Sequence, residues 1–175
     1  MALDANELGP GLWIGAFPPL SPQYNRHAVA AAGFTTLVLC AVEWQLEGFA
    51  DGAEAFLGVE VAPAPMYDAP LAPSDFKALQ GLLKPSGRGG QLSQIVSTAF
   101  AAADVVAERI GQGRRVLVTC NQGRNRSGLV CALALCRRMK CAGRVALKVV
   151  RDRRRNALTN ADFAKFLEML PAPRR

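Results

Sequence analysis

Histidine occurs once in these 175 residues, at His27, and no two cysteines are spaced as C-x-x-C. A zinc centre built from the usual nitrogen and sulfur donors therefore lacks neighbouring ligands. Cys131, Cys136 and Cys141 are each five apart along a helical stretch, a spacing that turns them to different faces. Aromatic residues make up only 7% of the chain and do not alternate with basic ones, so a stacking platform for single-stranded nucleic acid has little support. Five cysteines, an odd number without paired spacings, do not form the framework of a disulfide-stapled secreted domain, and a reduced chain is expected. No apolar run approaches the roughly 20 residues needed to span a bilayer, and the first residues lack a basic stretch followed by an apolar core. Internal repeats and long glycine-rich linkers are also missing. The expectation is a soluble, cytoplasmic monomer with one domain over residues 1–170 and a frayed basic tail over 171–175.

Apolar residues make up 50% of the chain, enough to bury one good core, and the net charge is +7. That charge suits polyanionic ligands in general, whether phosphoprotein, phosphoinositide or nucleic acid, without choosing among them. Hydrophobic patterning predicts strands near Leu12–Ile14, Thr36–Leu39, Leu57–Val61 and Val116–Thr119. Helices are expected near Pro22–Ala32, Phe76–Leu83, Leu92–Gly111, Ser127–Lys140, Ala142–Arg154 and Asn160–Leu170. Gly111-Gln-Gly113 should end the long helix, and the Asn160 side chain should cap the last one by accepting from Asp162 or Phe163. Buried strands alternating with helices indicate an α/β fold: a mainly parallel central sheet of four to five strands with helices on both faces.

The chemistry concentrates in Val116-Leu-Val-Thr-Cys-Asn-Gln-Gly-Arg-Asn-Arg-Ser-Gly128. A β-branched run brings Cys120 to the carboxyl end of a buried strand, and an apolar helix begins at Ser127. Backbone N–H groups from Asn121, Gln122, Gly123, Arg124, Asn125 and Arg126 would then line a bowl at a helix N-terminus, where an anion is favoured. Cysteine and arginine at this spacing are weak evidence alone, because the pair Cys131 and Arg137 repeats it inside a helix where no turn can form. Around Cys120 the pattern is stronger. Gly123 permits a sharp bend, and Ser127 directly follows the arginine.

On these residues the chain resembles the cysteine-dependent phosphatases of the protein tyrosine phosphatase superfamily, and is most similar to their compact dual-specificity branch. Leu12-Trp-Ile-Gly15, Gly33-Phe-Thr-Thr-Leu-Val-Leu-Cys40 and Arg154-Arg-Asn-Ala-Leu-Thr-Asn-Ala-Asp-Phe163 resemble that branch's opening strand, first core strand and last-helix start. The resemblance implies that a Cys120 thiolate attacks phosphorus in line. Arg126 would grip two equatorial oxygens, and a cysteinyl-phosphate would form and then be hydrolysed. Ser127 is the donor to the departing sulfur, or else an ordinary first-turn serine. The family's usual histidine before the nucleophile is replaced by Thr119, which can hydrogen-bond a carbonyl but brings no charge. The resemblance places the acid for the leaving group on a loop opposite the bowl. Asp68, in Ala64-Pro-Met-Tyr-Asp-Ala-Pro70, is the choice, with Asp75 as the rival because Phe76–Gln91, including the irregular Lys84–Gly90, lengthens the separation from Cys120; the alternative for either aspartate is a turn or helix-cap residue.

Arg124 is basic where lipid-directed members often carry lysine, whereas Asn125 resembles the asparagine of RNA 5′-triphosphatase members. Among Arg151, Arg153, Arg154 and Arg155, Arg154 is the candidate for contact with the phosphate or its carrier. Cys40 ends a strand that looks parallel to that of Cys120. By resemblance to some lipid phosphatases it is a candidate resolving cysteine, or else a plain buried one. The expected activity is metal-independent, cofactor-free hydrolysis of phosphomonoesters, namely phosphotyrosine and also phosphoserine or phosphothreonine of proteins. Inorganic phosphate or sulfate is the expected occupant of the loop. The alternatives are a phosphatase for phosphoinositide or RNA 5′ ends, and a catalytically weak phosphate-binding module.

Overall fold

The computed structural model describes residues 3–17, 28–44, 58–83 and 91–173, with residues 81–83 described by backbone alone. Five strands, β1 (Ala5–Gly9), β2 (Leu12–Ala16), β3 (Thr36–Ala41), β4 (Glu60–Met66) and β5 (Val116–Cys120), form one sheet in the order β1-β2-β5-β3-β4. β1 pairs antiparallel with β2, and every other pair is parallel. The helices are α1 (Pro73–Leu83), α2 (Gln94–Gly111), α3 (Arg126–Met139), α4 (Gly143–Arg153) and α5 (Ala161–Met169).

The central strand β5 is buried throughout, as a strand covered on both faces must be. Its alternation sorts the core. Val116, Val118 and Cys120 pack with Ile14, Val38, Cys40 and residues of α2, α3, α4 and α5. Leu117 points the other way, to a smaller cluster with Leu37, Leu39, Phe34 and Val29, the last from a helical turn over 28–31. α3 is the innermost helix, buried without a break from Arg126 to Cys136. Emptying one of its fully buried leucines, as in Leu133→Ala, should cost about 2–5 kcal/mol.

Two strands depart from the sequence reading. β1 was not expected, because only Leu8 of its five residues is buried and no alternation marks it. β4 runs Glu60–Met66, several residues beyond the predicted Leu57–Val61. Pro63 and Pro65 argue against a strand, but β4 is the sheet's edge, where a missing N–H costs no ladder bond on the outer side. The predicted helix from Pro22 is described only at 28–31, and His27, Leu57 and residues 84–90 lie outside the described residues.

Other expected signals appear as read. α2 ends at Gly111, with Gly113 at φ +77° before the return to β5. Asn160 caps α5, its side chain accepting from the Asp162 and Phe163 N–H groups at 3.1 and 3.3 Å. No helix among the described residues is long and apolar enough to cross a membrane.

The β5–α3 turn depends on Gly123. Its φ is +61°, and a methyl group added there would lie 2.4 Å from the Gly15 carbonyl carbon at the end of β2. Left-handed backbone costs an L-residue roughly 1–2 kcal/mol before any clash, and a backbone neighbour cannot rotate away. Gly123→Ala is therefore expected to lower the melting midpoint by at least about 2–4 °C, as one such kcal/mol does in a chain of this size. Calorimetry would check it, and an unchanged midpoint would show that the loop shifts freely off β2.

Candidate active site

Cys120 ends β5 and Arg126 opens α3, so the five residues between them must reverse direction within one turn of the sheet's carboxyl edge. A bowl results. Asp68, Cys120, Asn121, Gln122, Arg124, Asn125 and Arg126 line a cavity of about 160 Å³ that is open on one side. The N-cap residue Asn125 makes no side-chain bond to its own helix, which leaves the dipole end of α3 directed at the bowl. One loop amide departs from expectation, since Gly123 N–H closes a turn onto the Cys120 carbonyl at 3.3 Å.

In the floor, Cys120 is 3% exposed, and its Sγ lies 3.3 Å from Ser127 Oγ. Thr119 points away from the bowl and donates to the Val38 carbonyl at 3.3 Å, tying β5 to β3 one residue before Cys120. Thr119, where the resemblance led to an expected histidine, thus serves the sheet.

Arg126 is the buried cation of the site, 5% exposed. Its Nη1 donates to Glu43 Oε2 at 2.6 Å and to the Met66 carbonyl at 3.2 Å. Its Nε is buried with no hydrogen-bond partner among the described residues. Leaving a buried charged donor unpaired costs at least about 1–3 kcal/mol, so one edge of this guanidinium is built for an acceptor that enters the bowl.

Glu43 was not singled out in the sequence. It sits in a short 3-10 turn over Val42–Trp44 after β3, and its other oxygen accepts from Asn121 Nδ2 at 3.2 Å. Burial works against ionisation of Glu43. The Arg126 hydrogen bond, its own backbone amide, the Arg126 charge and Asn121 outweigh that burial and hold the carboxyl below its ordinary value of 4.5. No local pattern announces this residue, because Arg126 is 83 positions away.

The two aspartates separate cleanly. Asp68 is exposed at the lip, lines the cavity, and accepts from Asn125 Nδ2 and Asn160 Nδ2, each at 2.9 Å. Asp75 is fully buried, accepting from the N–H groups of Ala72 at 3.1 Å and Ser93 at 2.6 Å. It closes the start of α1 in the manner of a capping box and fixes the start of α2. It is not among the cavity-lining residues, so the rival acid is a structural residue.

Arg154 also differs from its expected role. Both of its terminal nitrogens bond Asp4, Nη1 bonds Asn6 Oδ1 at 2.7 Å, and Nη2 bonds the Gln122 carbonyl at 3.0 Å. It braces the loop from behind. Arg124 is exposed at the rim and lowers the Asp4 carboxyl from a distance, after the larger effect of the Arg154 hydrogen bond.

Cys40 follows the Leu39–Thr119 register pair by one residue, as Cys120 does, and both lie in the larger core cluster. Strands about 4.8 Å apart bring such neighbours within disulfide reach. Burial, then the neighbouring Cys120 and Cys131, push the Cys40 thiol well up, against a smaller pull from Arg126. It is therefore a core thiol at neutral pH. Cys136, pushed up to about 12 first by burial and then by Cys141, is hydrogen-bonded to that residue. The equal-spacing argument misses this contact because α3 ends at Met139, before Cys141. No group of three or more metal-ligating side chains occurs among the described residues.

The family model of the dual specificity phosphatase catalytic domain matches residues 84–170. No curated protein sequence matches the chain. Among solved structures, Tk-PTP in its active form has a TM-score of 0.66 at 20% identity, covering 96% of each chain. Human DUSP28 gives 0.62 at 20% identity, with 96% of this chain and 93% of that one covered. PTPMT1 in complex with PI(5)P gives 0.65 at 14%, with 94% and 92% covered. Residues 84–170 thus carry the dual specificity phosphatase catalytic-domain pattern, and the chain as a whole shares the fold of the cysteine-based protein tyrosine phosphatases.

Glu43→Ala should let the Arg126 fork swing, and a displacement of about 1 Å is enough to cost up to roughly a hundredfold in turnover. Rates on an aryl phosphate check this, and an unchanged rate would mean that the Met66 carbonyl alone holds Arg126. The depressed carboxyl contributes stability above its ordinary value of 4.5 and loses it as pH falls through the lowered value. The melting-temperature gap between wild type and Glu43→Gln should therefore close below that pH.

Proposed function

We propose that this protein hydrolyses phosphomonoesters, phosphotyrosine of proteins first among them, through a cysteinyl-phosphate intermediate. The observation that carries this reading is the Arg126 guanidinium: buried, held at Nη1 by Glu43, without a partner at Nε among the described residues, and in the wall of the cavity that Cys120 also lines. A phosphoryl group has the charge and the oxygens to complete it.

In the first step the Cys120 sulfur attacks phosphorus, and the S–P bond forms as the ester P–O bond breaks. Asp68 gives its proton to the departing oxygen. Arg126 Nε and the loop amides take the charge that builds on the equatorial oxygens. In the second step water attacks phosphorus with Asp68 as the base. The S–P bond breaks, and Ser127 Oγ, 3.3 Å from the sulfur, stabilises the thiolate as it leaves. All of these groups come from the chain itself, so turnover should survive a chelator.

A chromogenic aryl phosphate should show a burst followed by steady turnover with wild type and neither with Cys120→Ser. Oxyanion binding without a burst would favour a phosphate-binding module. Asp68→Asn should reduce turnover of an alkyl or phenyl ester by about 10²–10⁴ while sparing an ester with a good leaving group, because only the poor leaving group needs the proton. A panel of phosphotyrosine peptide, phosphoserine peptide, inositol phospholipid and RNA 5′-phosphate should give its highest kcat/KM on the first.

A further inference from the structure

The Asp68 carboxyl is held on both sides by amides whose orientation the surrounding hydrogen bonds fix. Asn160 Oδ1 accepts from the Asp162 and Phe163 N–H groups, so its Nδ2 must face the other way. There it donates to Asp68 Oδ1 at 2.9 Å and to the Ala69 carbonyl at 3.3 Å. Asn125 follows the same logic. Its Oδ1 accepts from Asn160 N–H at 3.0 Å and from Thr159 Oγ1 at 3.2 Å, leaving Nδ2 to donate to Asp68 Oδ2 at 2.9 Å. A little further along, the Leu71 N–H donates to Asp162 Oδ2 at 2.9 Å. The segment 68–71 is thus fastened at both ends to the first turn of α5, and its carboxyl is also fastened to the phosphate loop.

We infer that Asn160 is a positioning residue for the proposed reaction: the N-cap of α5 sets the plane of the Asp68 carboxyl against the Cys120 bowl, with Asn125 as the loop's half of the same latch. The inference rests on the reading of Asp68 as the acid. Each exposed amide–carboxylate bond contributes little to folding, since such hydrogen bonds net only about 0.5–1.5 kcal/mol. Geometry at the reacting atoms is more demanding, and a misplacement of about 1 Å costs up to roughly a hundredfold in rate. The latch should therefore register in proton transfer more than in stability. Two carboxyl oxygens bound by donors on different elements cannot rotate about Cβ–Cγ, and the cavity-lining side of the group is what remains for the leaving oxygen.

Asn160→Ser separates the two roles of this side chain. Serine caps helices about as well as asparagine, so α5 keeps its start, while both Nδ2 bonds are lost. The expected result is a roughly tenfold fall in kcat on phenyl phosphate, less than twofold on dinitrophenyl phosphate, and a melting midpoint within a few degrees of wild type. In the double variant with Asp68→Asn, the serine should add no further loss, because residues acting through one another are not additive. Equal losses on both esters, or an additive double variant, would overturn the latch. A leaving-group-dependent Asp68→Asn alongside an unaffected Asn160→Ser would overturn the latch alone. A leaving-group-independent Asp68→Asn would overturn the acid assignment, and the latch with it.

Discussion

A guanidinium buried at the mouth of the central strand is the constraint around which the rest of this molecule is arranged. Taking Arg126 out of water is costly, and a buried charge persists only where fixed acceptors replace the lost hydration. The chain supplies two, both to Nη1: Glu43, beyond the end of β3, and the Met66 carbonyl, at the end of β4. Both strands therefore have to stop where they do. The sheet's carboxyl edge thus holds the guanidinium in the cavity that Cys120 also lines, with its Nε left without a partner among the described residues.

The loop above that point is fastened on several sides. Gly123 lies against the backbone of β2, Arg154 holds the Gln122 carbonyl, and the Leu158 N–H donates to the Arg124 carbonyl at 3.1 Å. Leu158 is itself fully buried at φ +56°, over the small side of Gly128. Elements far apart in sequence thus converge on the loop, Asp4 through its hold on Arg154 and Asn160 through the Asn125 side chain. A preorganised set of amides does not need to reorient when charge develops in front of it, which is the condition under which such groups stabilise a transition state most.

What the sequence shows follows from how local each feature is. The strand, turn and helix around Cys120 are contiguous, so β-branched residues, a glycine and an apolar helical run reveal them together. The cap at Asn160 is equally local. Glu43 is invisible because its meaning comes from a partner across the sheet, and nothing about Val42-Glu-Trp44 marks a site. The same holds for Asp75, an acid in sequence and a helix fastener in space, decided by the Ser93 N–H eighteen residues on. β4 was misplaced because proline normally denies a strand, and only knowledge that this strand is the outer one lifts that objection.

The close seating of the loop on β2 also limits how the protein can diversify. Position 123 admits no side chain, Asn121 and Asn125 are committed to Glu43 and Asp68, and Arg126 is committed to the bowl. Of the four exposed residues in the cavity wall, Asp68, Asn121, Gln122 and Arg124, the last two are the ones whose side chains are not engaged in these hydrogen bonds. Drift in ligand preference within this architecture is thus channelled through the two codons that flank Gly123, and through whatever faces them from across the opening.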